Sequence, residues 1–206
     1  MFMHLKATSL LLFLFVAPSW QPLCSQPLFK SLSPRETSVH FSNQVVDIPN
    51  HNILIYSNYY GGAGVGIGDF NQDGLQDIFF AGNLVADELY LNESDMKFAR
   101  TQDAGIVEDN GWSSGVVVSD LNHDGWPDIY VTRELYDDDH ARRANLLYLN
   151  KQDGTFREVA RKSGVADEGR SRHAVSFDYD GDGDLDLYVL NQPPNPGNYS
   201  PLLGTD

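Results

Sequence analysis

From about residue 60 onward the chain alternates between short apolar runs and polar turns rich in Asp, Asn and Gly. Val65-Gly66-Ile67-Gly68 leads into an acidic turn, and Ile78-Phe79-Phe80-Ala81 leads out of it. Val116-Val117-Val118 and Ile129-Tyr130-Val131 bracket a second acidic turn, and Val175-Ser176-Phe177 and Leu187-Tyr188-Val189 a third. Runs this short, rich in β-branched and aromatic residues and closed by turn residues, predict strands. Two further strands per unit are expected, one at Leu89-Tyr90-Leu91-Asn92 or Leu147-Tyr148-Leu149-Asn150 and one near Phe98 or Phe156.

The pattern is a repeat. The first two acidic turns start 51 residues apart, at Asp69 and Asp120, and the next starts 58 residues on, at Asp178. Asn92 to Asp120 and Asn150 to Asp178 are both 28 residues, so the seven-residue excess lies between Asp128 and Asn150. It is a loop insertion, in the stretch holding Asp137, Asp138, Asp139 and His140. Four short strands per unit is the content of a propeller blade, an antiparallel sheet repeated around an axis. The expected fold is all-β: four-stranded antiparallel β-propeller blades, about 2.5 to 3 of them, in an incomplete propeller. The units fall at about residues 60–110, 111–168 and 169–206, the last without its third strand, as in the amino-terminal piece of a longer protein.

The amino terminus reads differently. A short, weakly positive start precedes an apolar run at residues 9–17, too short to span a bilayer, and then Pro18. That is the form of a secretory signal peptide, taken as residues 1–24, with residues 25–59 leading into the blades. Ala17-Pro18-Ser19 offers ordinary cleavage; lipidation of Cys24 is the alternative, against which stands Leu23 where a small residue is expected. Export to the periplasm, the cell surface or the extracellular space follows. Contact with a membrane is expected only through the signal peptide or a lipid on Cys24. That one cysteine excludes an internal disulfide framework.

Charge narrows the partners. The chain carries 29 acidic and 14 basic residues, a net charge of −15. Nucleic acids and anionic membranes call for a basic face, so neither is an expected partner. Eleven of the 29 acids fall in the three acidic turns, which share the form D-x-[DN]-x-D-G-x-x-D. Side-chain oxygens at positions 1, 3, 5 and 9, a carbonyl at 7 and a glycine bend at 6 form an all-oxygen set suited to Ca²⁺ and poorly suited to zinc or copper. The first loop offers Asp69, Asn71, Asp73, the Leu75 carbonyl and Asp77. The second offers Asp120, Asn122, Asp124, the Trp126 carbonyl and Asp128; the third offers Asp178, Asp180, Asp182, the Asp184 carbonyl and Asp186. Up to three calcium ions would offset six of the fifteen net negative charges. Without them, like charges held close together repel. An EF-hand is excluded, because position 12 is Phe80, Val131 or Val189 and a strand follows in place of a helix.

These loops, with the Leu-Tyr-Leu-Asn and Ala-Gly-Ile or Ser-Gly-Val marks that follow them, resemble the FG-GAP or VCBS repeats of integrin-α-like propellers. The segment from Pro27 through Phe41, with Tyr59-Tyr60-Gly61-Gly62-Ala63-Gly64-Val65, resembles the cartilage acidic protein/UnbV group of exported proteins. The resemblance implies a calcium-bound extracellular propeller, often in a longer chain, with no defined catalytic residues.

Enzyme motifs are weak. Gly111-Trp112-Ser113-Ser114-Gly115 has the G-x-S-x-G form, but an apolar run follows where the nucleophile elbow requires a helix. Gly61 to Gly68 miss the dinucleotide spacing and read as close packing of an inner strand. Trp112, Trp126 and the strand tyrosines read as blade-packing aromatics, with sugar stacking the alternative. The expected function is a non-enzymatic calcium-binding scaffold for adhesion to an extracellular protein or glycan. The alternative is an accessory part of an exported hydrolase or polysaccharide-acting enzyme. The inserted loop, residues 133–143, is the candidate recognition element.

Overall fold

The computed structural model describes residues 28–49, 51–56, 58–135 and 139–193. The signal segment, Cys24, the stretch beyond residue 193, and Tyr136, Asp137 and Asp138 of the insertion lie outside the described residues. The chain divides into two units, Met1–Ser31 and Leu32–Asp206, and the second holds every element described.

Strands β1 (Val65–Gly68), β2 (Asp77–Phe80), β3 (Glu88–Asn92) and β4 (Phe98–Arg100) form an antiparallel meander in that order. Strands β5 (Ser113–Ser119), β6 (Asp128–Arg133), β7 (Leu146–Asn150) and β8 (Phe156–Glu158) repeat it. Strands β9 (Arg170–Phe177) and β10 (Asp186–Gln192) form a third antiparallel pair. The helices are single turns: α1 (Pro34–Thr37), α2 (His140–Arg143) and α3 (Ala160–Ser163). The expected all-β architecture of propeller-like blades is what the chain adopts.

The strand period of two explains the stacking, since alternate residues of a blade face opposite neighbours. All six residues of β6 are buried. Ile129 and Val131 join Phe79 and Leu89 of the first blade in one cluster. Tyr130, between them in sequence, turns the other way and packs with Leu147, Ala174, Leu187 and Val189 against the third. The middle sheet is apolar on both faces because both are covered.

The inner strands β1, β5 and β9 approach closely, and glycine makes this possible. A Cβ on Gly66 would lie 2.7 Å from Val116 and 2.8 Å from Val118, and one on Gly64 would lie 2.8 Å from the Val116 backbone nitrogen. Gly115 repeats the arrangement one blade on, where a Cβ would meet Thr132 at 2.8 Å and the Arg172 carbonyl at 2.9 Å. Hydroxyls complete the seam: Ser119 and Ser176 share a 2.8 Å hydrogen bond, and Ser114 donates to the Ser171 carbonyl at 2.6 Å. Of the glycines read as packing residues, Gly64, Gly66 and Gly68 are contact points between blades, whereas a Cβ on Gly62 would meet nothing within 4 Å.

The segment before β1 covers the first blade. Phe41 stacks on Phe80 with ring centroids 4.8 Å apart, and the Tyr59 hydroxyl donates to the Val46 carbonyl at 2.8 Å. Tyr56, Tyr59, Trp112 and Leu135 form a separate cluster at the ends of the strands away from the acidic turns. Trp112 thus packs beneath this segment and not between two sheets. Half-buried ion pairs add ties between parts of the fold: Arg133 grips Asp109 through both terminal nitrogens, and Arg172 of β9 pairs with fully buried Glu134.

Gly64→Ala is expected to destabilise the protein by about 1–3 kcal/mol, since the nearest obstacle is backbone and the blades must separate. A lower urea midpoint at unchanged slope is the expected readout; an unchanged midpoint would show that the seam yields without cost.

Candidate metal centre

Each acidic turn joins the inner strand of a blade to the next, and the three adopt one backbone form. Position 6 is left-handed in all of them, with φ of 88° at Gly74, 88° at Gly125 and 97° at Gly183. Position 4 is left-handed as well: Gln72 at 55°, His123 at 57° and Gly181 at 79°. Two left-handed residues within three coil the chain about the position-1 carboxylate.

That carboxylate organises the loop. Asp69 accepts from the amides of Asp73 and Gly74 at 3.0 and 2.9 Å, and Asp120 accepts from Asp124 and Gly125 at 3.0 and 2.8 Å. Asp178 accepts from Gly181 and Gly183 at 2.7 and 3.2 Å. At position 3, Asn71 and Asn122 accept through Oδ1 from the position-5 amide and donate through Nδ2 to the position-5 carboxylate. Position 5 then turns the chain, as Asp73, Asp124 and Asp182 accept from the amides of Leu75, Trp126 and Asp184. The first two loops touch, with Gln72 donating to the Gly125 carbonyl at 2.6 Å.

Position 9 belongs to the sheet as much as to the loop. Asp77 Oδ2 accepts from the Phe70 amide at 2.8 Å, and its Oδ1 from the Asn92 amide at 2.8 Å. Asp128 repeats both bonds, to Leu121 at 3.0 Å and Asn150 at 2.9 Å. Asp186 keeps the first, to Tyr179 at 2.8 Å. Asp77 and Asp128 are fully buried, whereas Asp186 is exposed. Reading the sequence found the ligand pattern but missed two parts: the left-handed position 4, and the asparagine that closes each Leu-Tyr-Leu-Asn strand and binds the position-9 carboxylate.

Oxygens of Asp178, Asp180 and Asp186 lie within 4.8 Å of one another, so these three residues could hold a metal ion. They form the one such group of three His, Cys, Asp or Glu residues among the described residues. In the first two loops, position 3 is an amide and position 9 is turned into the sheet. The hard, all-oxygen donors present in each loop fit Ca²⁺ better than softer transition metals.

The electrostatics follow burial. Burial pushes Asp128 up to about 6, against the hydrogen bonds from Asn150 and Leu121 and with Asp124 and Asp120 adding repulsion. Burial also raises Asp77, and it raises Asp87, held beneath the first blade by Gly82 and Ser113, to about 6. In the exposed third loop, the side-chain hydrogen bond to Asp182, and then its charge, raise Asp184, while the same bond lowers Asp182.

The Ser113 hydroxyl donates to Asp87, and strand β5 starts at that residue in place of a helix, so the G-x-S-x-G stretch is not a nucleophile elbow. At the opposite end, the insertion is tied down by buried Arg133, Glu134 and Arg143, with the α2 turn capped by the Asp139 side chain.

A carboxyl whose folded pKa lies above its unfolded value favours folding when protonated, and that advantage declines as pH rises through the folded pKa. In chelator, the urea midpoint is therefore expected to fall between pH 5 and 7.5, and Asp128→Asn to reduce the slope. Asp109, held below the ordinary range because the Arg133 pairing outweighs its burial, stays ionised across this window. A midpoint that rises with pH would contradict this account of the buried carboxyls.

No curated protein matches the chain in sequence. The profile of the FG-GAP-like repeat family matches residues 46–131 and 136–189, which include all three acidic turns, eight of the ten strands whole and the first part of β6 and β10. Four-stranded meanders, stacked through glycine and each opened by the same coiled acidic turn, agree with that match, and the chain belongs to the FG-GAP-like repeat family.

Proposed function

We propose that this protein is a calcium-braced, exported propeller scaffold that binds an extracellular protein or glycan and catalyses no reaction itself. The observation that carries the reading is the acidic turn, built three times with the same left-handed positions and the same carboxylate at its centre. Single acidic turns are common without a metal; three in one register concentrate negative charge that a hard divalent cation offsets. Asp69, Asn71, Asp73 and Asp77 would hold one ion with the Leu75 carbonyl. Asp120, Asn122, Asp124, Asp128 and the Trp126 carbonyl would hold a second, and Asp178, Asp180, Asp182, Asp186 and the Asp184 carbonyl a third. Extracellular modules bind calcium at roughly 10⁻⁴ to 10⁻³ M, in keeping with exposed loops of this kind.

Export is supported by the apolar run at residues 9–17 behind a short basic start, and relation to the cartilage acidic protein/UnbV group by the segment around residues 27–41 and 59–65. A binding role agrees with the family, whose blades are scaffolds, and with the surface left by the insertion at residues 133–143.

Terbium luminescence tests the second and third loops, because Trp126 lies within the second and Tyr179 within the third. Bound terbium is expected to show tryptophan-sensitised emission that calcium displaces and that Asp120→Asn with Asp124→Asn removes. Thermal unfolding is expected to shift upward in millimolar Ca²⁺ and hardly in Mg²⁺. A melt indifferent to both ions, with no sensitised emission, would reduce the loops to turns.

A further inference from the structure

The first two acidic turns are joined by bonds that the third does not share. At the surface, the Gln72 side chain donates to the Gly125 carbonyl at 2.6 Å, from position 4 of the first loop to position 6 of the second. Beneath this bond, Asn150 donates through Nδ2 to the Phe70 carbonyl at 2.8 Å, while its amide donates to Asp128 Oδ1 at 2.9 Å. The Phe70 amide in turn donates to Asp77 Oδ2 at 2.8 Å. The position-9 carboxylates of the two loops are therefore linked through Phe70 and Asn150, and all four residues are buried. The hydrogen bonds of the third loop stay within it among the described residues.

Gln72 holds the one peptide of the second loop that is most free to turn. Gly125 is left-handed, with φ of 88°, and glycine sets little barrier to turning the peptide that follows it. That peptide is held at both ends: its carbonyl by Gln72, and its N–H, which belongs to Trp126, by Asp124 Oδ1 at 2.9 Å. The next carbonyl along the chain, that of Trp126, is the position-7 donor of the second loop. Gln72 lies between Asn71 and Asp73, positions 3 and 5 of the first loop, and is itself left-handed at 55°. Fixing those two neighbours fixes the backbone from which Gln72 reaches across. Order in one loop thus removes freedom that the other would lose on binding.

We propose that the first two acidic turns act as one binding unit, in which Gln72 is a positioning residue for the second loop and each loop takes its cation more tightly when the other is filled. The inference rests on the calcium reading of the loops. Linkage makes the effect reciprocal, so the second loop favours a cation in the first by the same factor. Repulsion between cations in neighbouring exposed loops acts the other way, but salt screens it over about 8–10 Å at physiological strength. The third loop, which lacks the bridging bonds, binds independently.

The test follows terbium binding to the full chain in about 0.15 M salt, where that screening is in force. Emission sensitised by Trp126 reports the second loop, and emission sensitised by Tyr179 reports the third. Gln72→Ala is expected to raise the half-saturating terbium concentration of the second loop about twofold to tenfold, the worth of one ordinary hydrogen bond, and to leave the third loop unchanged. Disabling the first loop with Asp69→Asn and Asp73→Asn is expected to weaken the second at least as much, and Gln72→Ala is then expected to add nothing. Gln72 is exposed, so its removal leaves the packing of the sheets intact. A half-saturation of the second loop that Gln72→Ala does not move would overturn the coupling and leave the calcium reading standing. The same loss from Gln72→Ala with the first loop disabled would overturn it too, because Gln72 would then act with no cation beside it. Absence of sensitised emission from both loops would overturn the calcium reading and this proposal with it.

Discussion

The close approach of the inner strands is the constraint on which the rest of this structure depends. A four-stranded sheet with apolar side chains on both faces is stable only between neighbours, so distances between blades set everything that follows. Gly64, Gly66 and Gly115 bring the backbones together, with valines opposite the first two and Thr132, His173 and the Arg172 carbonyl around the third. Once the sheets stack, residues alternate between neighbours along each strand. Ile129 and Tyr130, adjacent in sequence, therefore belong to different cores.

The same stacking fixes the acidic turns. Their position-1 carboxylates are local devices, satisfied by amides a few residues on. The position-9 carboxylates are not local: Asp77 and Asp128 join the loop to the third strand of the blade, across 15 residues in one case and 22 in the other. An acidic loop built this way is held by the sheet behind it. In the third blade, where no such strand is described, Asp186 keeps its bond to Tyr179 yet lies in solvent.

Much of this was readable in the chain because it is written more than once. The strand at Val65–Gly68 emerged at its observed bounds, and the strands after the acidic turns shifted by one residue, since Gly68 pairs with Asp77. β9 begins at Arg170, earlier than its apolar residues suggest, because Ser171 and Arg172 are held by polar contacts to Asn191 and Glu134. What occurs only once was harder to read. The cover formed by Phe41, Tyr56 and Tyr59 has no repeat to align with, and the Arg133 and Arg172 ion pairs join residues far apart in sequence. The structural task of Asn92 and Asn150 was hidden because an asparagine at a strand end is ordinary turn chemistry until its partner is known.

The antiparallel meander also sorts charge. The turns that begin with Asp69, Asp120 and Asp178 all leave the sheets at one end, with Lys97 and Lys151 near them. Arg100, Arg133, Arg142, Arg161 and Arg172 fall at the other end, where strands exit or helical turns connect them, among carboxylates that balance them. The molecule is therefore an electric dipole aligned with its strands. Within a Debye length of about 8–10 Å at physiological salt, a charged surface exerts a torque on it as well as a force. A divalent cation held at the acidic end would offset part of that charge and weaken the dipole.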